Sequence, residues 1–453
     1  MEIVKDLTKG STGKILWLFA LPLLGSVIFQ QMYNMADTVI AGQFIGEDAL
    51  SAVGSSYPIT MIFMAVALGC NLGCSVVISR HFGAKHYKEV RECVTTILTA
   101  ISAVGIFLTI VGILISVPIM NVLQTPANIF DDALAYLFIY IGGFLFVLLY
   151  NVCTGIFSAL GDSKTPLYFL IASSLGNIAL DLVFVICFNM GVAGLAWATF
   201  IAQGIAAILC IFRLFHAIKK LTFEGTAKFF SKVLLVQMCV VAIPSVLQQS
   251  FVSVGNLFIQ GLVNSYGSQV IAGYTSAIKL NTFVITTLTT VAGSLSSFAA
   301  QNMGAGEIGR IKKGMISGIF MVFTVAVPFS LLYIFFQEPA LKIFAQDLSS
   351  TALSTGSNFL TIVAPFYVVV GLKLMYDAVL RGTESMIPFM AATFTDLLIR
   401  VILCYIFNSI IGVGGLWLSW PVGWIISTAM SAFFYYSGIW YKHKSSHLHK
   451  ETN

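Results

Sequence analysis

The chain has 453 residues, of which 58% are hydrophobic and only 9% are charged, and its mean hydropathy is +0.92. A soluble domain carries about 25% charged residues, so this chain cannot cover a water-facing surface and most of its exterior must face lipid. The small net charge of +5 gives no indication of a nucleic-acid partner.

In chain order, twelve apolar runs are long enough to cross a bilayer as helices, since a spanning helix needs about 20 residues. They are 15–43, 51–79, 93–117, 133–159, 167–188 and 192–214, then 234–263, 270–299, 315–337, 353–380, 389–408 and 413–440. Long unbroken runs exclude a spanning β-barrel, whose strands alternate in polarity. We expect Pro22, Pro244 and Pro365 to bend their helices, with Pro22 as the hinge.

The basic residues outside the spans fix the orientation. With both termini inside, twenty Lys and Arg side chains fall on the inner side, and Lys342 alone falls on the outer side. This distribution follows the positive-inside rule, so we predict a multi-pass plasma-membrane protein with cytoplasmic termini. We interpret the eight cysteines as small buried hydrophobic side chains rather than disulfides or metal ligands.

The chain repeats itself with a displacement of 221 positions. Residues 47–215 align with 268–436, so that Gly191–Leu195 falls on Gly412–Leu416. Duplicated hydrophobic halves are typical of transporters. We therefore predict an all-α membrane protein with 12 transmembrane helices in two pseudo-symmetric six-helix bundles. The predicted parts are an N-lobe (1–215), a cytoplasmic linker (216–232), a C-lobe (233–440) and a cytoplasmic tail (441–453).

Two carboxylates of the first half lie inside spans without a nearby cation. Asp37 and Asp181 have no Lys or Arg within a helical turn, and Asn177 shares the helical face of Asp181. A buried carboxylate without a basic partner favours binding of a proton or a cation. The alternative is a neutral acid that is permanently hydrogen-bonded to its neighbours.

The second half has a different set of buried charges. Lys373 and Asp377 are four residues apart, as are Asp396 and Arg400, so each pair is either a self-neutralised structural pair or a functional charge site. The repeat places Ile402 at the position of Asp181. We therefore expect the ion chemistry in the first half.

Four segments of the chain resemble the multidrug and toxic compound extrusion (MATE) family of bacterial transporters. They are Ala20–Asp37 with Ala52-Val53-Gly54, Gly161–Pro166, Gly176–Asp181 and Gly191–Thr199. The resemblance covers nearly the whole chain. It implies export of amphipathic organic cations in exchange for H⁺ or Na⁺.

Transferred by position, the resemblance implies particular residues for the ion site. The cation-coupling site of that family falls on Asp37, Asn177, Asp181 and Thr199, with Asn151 close by. The two aspartates are candidate ligands for Na⁺. The acid that some branches use in the tenth span falls on Asp377, beside Lys373. The seventh span lacks the Glu of branches with a second sodium site, which puts such a site in doubt here.

Methionine and aromatic side chains on the first two spans suit flexible binding of apolar cations. The candidate substrate-cavity residues are Met32, Tyr33, Asn34, Met35, Met61 and Met64. Ordinary helix packing and lipid contact are equally good explanations for any one of them. The expected partners are small substrates and membrane lipid, and nothing in the sequence requires more than a monomer.

Three alternative functions can be weighed from the sequence. A flippase for lipid-linked precursors needs a cationic central cavity, but only Lys279, Lys373 and Arg400 are available within spans. A passive channel has no need of buried acids in one half. An enzyme is not expected, because HExxH and GxSxG motifs are absent from the sequence, and no cofactor is expected beyond the coupling ion.

Overall fold

The computed structural model describes residues 6–40, 44–45, 47–122, 125–343 and 349–441. Within these ranges every regular element is a helix. The first half contains α1 (Thr12–Ile40), α2 (Glu47–Gly83), α3 (Tyr87–Val122), α4 (Phe130–Gly142), α5 (Phe144–Ala159), α6 (Lys164–Leu182) and α7 (Gly191–Ile218). The second half contains α8 (Lys232–Asn264), α9 (Ser268–Gly304), α10 (Ile308–Phe335), α11 (Gln337–Lys342), α12 (Ser350–Val363), α13 (Tyr367–Gly382), α14 (Met386–Ile411) and α15 (Val413–Tyr436).

Each predicted span coincides with a helix or with an interrupted helix. Ten described helices are long and apolar enough to cross a membrane, and α4 with α5, which meet at a 47° bend, would be an eleventh. At the predicted twelfth span lies α15. A π-helical turn, Val183–Cys187, extends α6, and a 3₁₀ turn, Ala364–Phe366, joins α12 to α13.

The prolines act differently at different places. Pro365 lies in the 3₁₀ turn that interrupts the tenth span, as the sequence predicted. Pro22 and Pro244 lie inside the continuous helices α1 and α8, so their role as hinges stays a prediction. The eight cysteines are all free, as predicted, and six of them are buried. Cys239 is partly exposed and Cys187 is exposed, so the prediction of burial is wrong for Cys187.

The helices form two compact units. Unit 1 is built on Leu21–Leu247, and unit 2 on Leu7–Ala20 together with the residues from Gln248 onward. The units differ from the predicted lobes because the first part of α1 belongs to unit 2 and the first part of α8 belongs to unit 1. The boundary in α1 lies between Ala20 and Leu21, one residue before Pro22.

A close helix crossing holds the first part of α8 in unit 1. Gly69 and Gly73 lie four residues apart on α2, where a Cβ atom would collide with the backbone of Val246 and Ala242 respectively. Small residues at this spacing allow helix backbones to approach closely in a membrane. Substitution of either glycine would therefore force α2 and α8 apart.

A hydrogen-bonded clasp holds the N-terminal segment in unit 2. Arg310 donates to the carbonyl oxygens of Leu7 (3.1 Å) and Gly10 (2.8 Å) and to Oδ1 of Asn302 (2.9 Å). The backbone N–H of Leu7 donates to Oε1 of Gln301 (3.0 Å). The clasp therefore fixes the chain just before α1 begins.

We expect Arg310→Ala to destabilise the protein by roughly 2 kcal/mol, because three hydrogen bonds to a charged donor are lost at a half-exposed site. The apparent melting temperature of the detergent-solubilised protein should fall. The matched control is Lys313→Ala, which removes an exposed cation from the same helix. Equal melting temperatures for the two variants would show that the clasp contributes nothing to the stability of the protein.

Candidate functional site

The site of unit 1 is built where α1, α6 and α7 meet. Tyr33 and Asp37 lie one turn apart near the end of α1, Asn177 and Asp181 lie one turn apart on α6, and Thr199 lies on α7. Helices α6 and α7 pack against each other directly. Asn177 and Asp181 are 2% and 1% exposed, whereas Tyr33, Asp37 and Thr199 are partly exposed, so the cluster is buried on its α6 side.

The side-chain amide of Asn177 bridges the two acids. Its nitrogen donates to Oδ2 of Asp181 (2.9 Å) and Oδ1 of Asp37 (3.2 Å), and its oxygen accepts from the backbone N–H of Thr199 (3.0 Å). This amide orientation is assigned from the hydrogen bonds, because the opposite one would aim oxygen at two carboxylates. The two carboxyl groups also lie within hydrogen-bond reach of each other.

Tyr33 completes the cluster. Its hydroxyl group lies within hydrogen-bond reach of both Asp37 and Thr199. The sequence analysis assigned Tyr33 to the substrate cavity, but the structure places it at the carboxylates. Tyr33 and Asp37 are four residues apart on one helix, and this spacing already indicates that their side chains can meet.

We expect Tyr33→Phe to lower ion-driven efflux by about tenfold, because one hydrogen bond of about 1 to 1.5 kcal/mol is lost. Efflux of a fluorescent cation from membrane vesicles measures this. The matched control is Tyr57→Phe, since Tyr57 is an exposed tyrosine of α2. If Tyr33→Phe transports as fast as this control, the hydroxyl group has no part in the site.

An apolar layer covers one side of the cluster. Ile40, Val185 and Leu195 form a buried hydrophobic group, and each lies about one helical turn from Asp37, Asp181 or Thr199 respectively.

On the other side, the cluster borders a small cavity of about 20 Å³, which is room for about one water molecule. Its walls are Gln30, Tyr33, Leu170, Ser173, Ser174, Asn177, Thr199, Ala202 and Gln203. Within the described residues, Oδ1 of Asp181 and Oε1 of Gln203 have no hydrogen-bond partner. Of the two, only Gln203 lines the cavity. An oxygen acceptor without a donor suits a water molecule or a small cation.

The other predicted residues lie apart from these contacts. The side-chain amide of Asn151 donates to the carbonyl oxygen of Val147 (2.8 Å). The backbone carbonyl oxygen of Asn151 accepts from the side-chain amide of Asn71 (2.8 Å). Asn34 is exposed and donates to Gln31 (3.3 Å). The role of Asn151 in ion coupling stays a prediction. The sequence analysis missed Gln203, although a polar residue four positions after Thr199 in a span was a usable signal.

The predicted methionines do not form one described cluster. Met32 is 63% exposed, Met61 and Met64 are partly buried on α2, and the side chain of Met35 lies outside the described part of the structure. Their role as substrate contacts stays a prediction.

In unit 2, Lys373 and Asp377 form the ion pair that their spacing predicted, whereas Oδ1 of Asp396 and Nε of Arg400 have no hydrogen-bond partner among the described residues. Lys373 Nζ lies 3.0 Å from Asp377 Oδ2, and Asp377 Oδ1 accepts from Ser431 (2.7 Å). Arg400 lies over the ring of Trp420, 4.5 Å from its centre. Arg381 is counted among the twenty basic residues on the inner side, and the structure places it in the last turn of α13, where it is 5% exposed.

Comparison with known proteins gives the family. The MatE family model matches the chain twice, over residues 22–183 and 244–406. The chain belongs to the MatE family. The two matches also confirm the internal duplication, because each covers one half of this MATE chain.

Relatives and solved structures agree with the assignment along the whole MATE chain. It is 25% identical over 456 residues to the probable multidrug resistance protein YoeA of Bacillus subtilis, covering 98% of each chain. It is 23% identical to an FAD transporter of Shewanella oneidensis, covering 90% of this chain and 91% of that one. A multidrug resistance MATE transporter solved in an outward-facing conformation superposes with a TM-score of 0.90 at 21% identity, covering 96% of each chain. The predicted fold class and family are thereby confirmed, and the protein is a multi-pass membrane transporter.

Proposed function

We propose that this MATE protein is a secondary active antiporter that exports amphipathic organic cations from a bacterial cell in exchange for H⁺ or Na⁺. The observation that carries the proposal is the pair Asp37 and Asp181, which Asn177 bridges and which has no basic partner among its described contacts. Asp181 is buried and Asp37 is partly buried. Both termini are proposed to be cytoplasmic.

The electrostatics of the pair make a bound ion necessary. Two like charges about 4 Å apart repel by about 4 kcal/mol even at an effective dielectric constant of 20. One proton shared between the carboxyl groups, or one Na⁺ between them, removes this repulsion. The empty transporter should therefore hold an ion at this site whenever no cationic substrate is near.

Competition at the same carboxylates would supply the coupling. A substrate cation that approaches Asp37 or Asp181 removes the need for the small ion, and the small ion removes the charge that attracts the substrate. Such mutual antagonism is reciprocal by thermodynamic necessity. Asp37 also lies on the same helix as Pro22, 15 residues or about 22 Å along the helix axis, so ion binding can act on the proposed hinge.

The test is ethidium transport in everted membrane vesicles that contain the protein, with either a pH gradient or a Na⁺ gradient imposed. Ethidium should accumulate when one of these gradients is applied and leak out when it is collapsed. Transport that ignores both gradients would indicate a passive channel. Absence of ethidium transport under either gradient would favour the flippase alternative and contradict the proposal.

A further inference from the structure

The buried charges of unit 2 follow a regular pattern on two helices. Lys373, Asp377 and Arg381 are four residues apart and share one face of α13, while Asp396 and Arg400 share one face of α14. All five are at most 7% exposed. Asp396 and Arg400 lie close enough to Lys373 to interact with it electrostatically, and Arg381 interacts likewise with Asp377.

The packing of α13 has no need of its three charges. The repeat places an apolar residue of the first half at each of the five positions, namely Val152, Ile156, Leu160, Leu175 and Ala179. Val152, Ile156 and Leu160 are fully buried. The same helix of the same repeat therefore packs well without an ion pair, and the charges of α13 serve another purpose.

Asp377 has the surroundings of an ion site in which an ammonium group stands in place of the free cation. One of its oxygens accepts from Ser431 (2.7 Å) and the other faces the ammonium group of Lys373 (3.0 Å). A carboxyl group this deeply buried stays ionised only with a positive charge beside it, and otherwise takes up a proton. In unit 1 the corresponding need is left to a free ion, whereas in unit 2 the chain provides the cation itself.

We propose that Lys373 is a tethered counter-ion, whose ammonium group occupies at Asp377 the position that a free monovalent cation would take. Unit 2 therefore binds no free coupling cation, and ion exchange is confined to unit 1. This inference deepens the proposed antiport, but its test measures ion binding by the purified protein and is independent of transport.

The experiment uses ²²Na⁺ binding and melting temperature between pH 6 and pH 9, in full-length protein carrying Asp37→Asn and Asp181→Asn to silence unit 1. This parent should bind no Na⁺. Adding Lys373→Met should create one saturable Na⁺ site per chain at high pH, with a melting temperature that rises with Na⁺ or with acid. Adding Asp377→Asn as well should remove both effects. The matched control, Lys279→Met, removes an exposed lysine of α9 and should bind no Na⁺.

Three outcomes would overturn the inference. The first is a folded Lys373→Met protein that binds no Na⁺ and whose stability depends on neither Na⁺ nor pH. The second is Na⁺ binding that persists after Asp377→Asn. The third is misfolding of the Lys373→Met protein that neither Na⁺ nor acid rescues, whether or not the protein with both Lys373→Met and Asp377→Asn folds. The ammonium group would then do more than replace a cation. Rescue by Na⁺ or by acid would support the inference.

Discussion

Asp37→Asn and Asp181→Asn should each reduce ion-driven efflux by at least about 100-fold while the protein still inserts into the membrane. The amide has the shape of the carboxylate but takes up neither a proton nor a full share of a cation's charge. A loss of about 3 kcal/mol on removing one member of a buried charge site corresponds to a factor of more than 100 in ion affinity. Ethidium efflux from vesicles, normalised to the amount of protein in the membrane, measures the effect.

The matched control for both variants is Asp162→Asn. Asp162 is another acid of unit 1, whose Oδ1 accepts from the backbone N–H groups of Lys164 (3.1 Å) and Thr165 (3.0 Å) at the start of α6. Asn retains that oxygen and caps helices as well as Asp does, so transport should be unchanged. Normal ion-driven efflux by Asp37→Asn or Asp181→Asn would refute the role of that aspartate.

Asn177→Leu should have a comparably large effect, although it removes no charge. The amide donates to both carboxylates at 2.9 and 3.2 Å. Without it, two acids would face each other beside an apolar side chain. Buried carboxylates that lose their donor are costly to ionise, so we expect the pair to hold its proton permanently and efflux to fall by about 100-fold.

The repeat provides an unusually close control for this substitution. Leu398 stands at the position of Asn177 in the second half and is 64% exposed. Leu398→Asn is the reverse exchange at the equivalent position and should leave efflux unchanged. If Asn177→Leu retained normal efflux with unaltered dependence on the ion gradient, the bridge between the acids would be structural only.

Much of the fold could be predicted because apolar runs, basic loops and the 221-residue repeat are direct consequences of the bilayer environment. The interruptions within the spanning helices were harder to predict. Pro365 indicated an irregularity in the tenth span, since proline lacks the N–H that a helix needs. The bend between α4 and α5 comes at Gly142 and Gly143, and glycine in a membrane helix is too common to predict a bend.

The site could be predicted in part for a similar reason. Asp37, Asn177, Asp181 and Thr199 were proposed from solitary buried charge and from family resemblance, and the structure brings them together. The position of Asn151, hydrogen-bonded within α5 and to α2, depends on how helices rotate about their axes. Rotation is decided by packing with neighbouring helices, and a sequence of mostly apolar residues on every face contains little information about it.

In the proposed antiport cycle, the coupling ion and the substrate compete for the carboxyl groups of Asp37 and Asp181. Ethidium binding to the purified protein, followed by fluorescence anisotropy, tests this competition without any gradient. The apparent Kd should rise with Na⁺ at fixed pH, or with proton concentration at fixed Na⁺, and this dependence should vanish in the Asp37→Asn/Asp181→Asn protein. An ethidium affinity that is independent of both ions, or an ion dependence that survives in the double variant, would contradict the account.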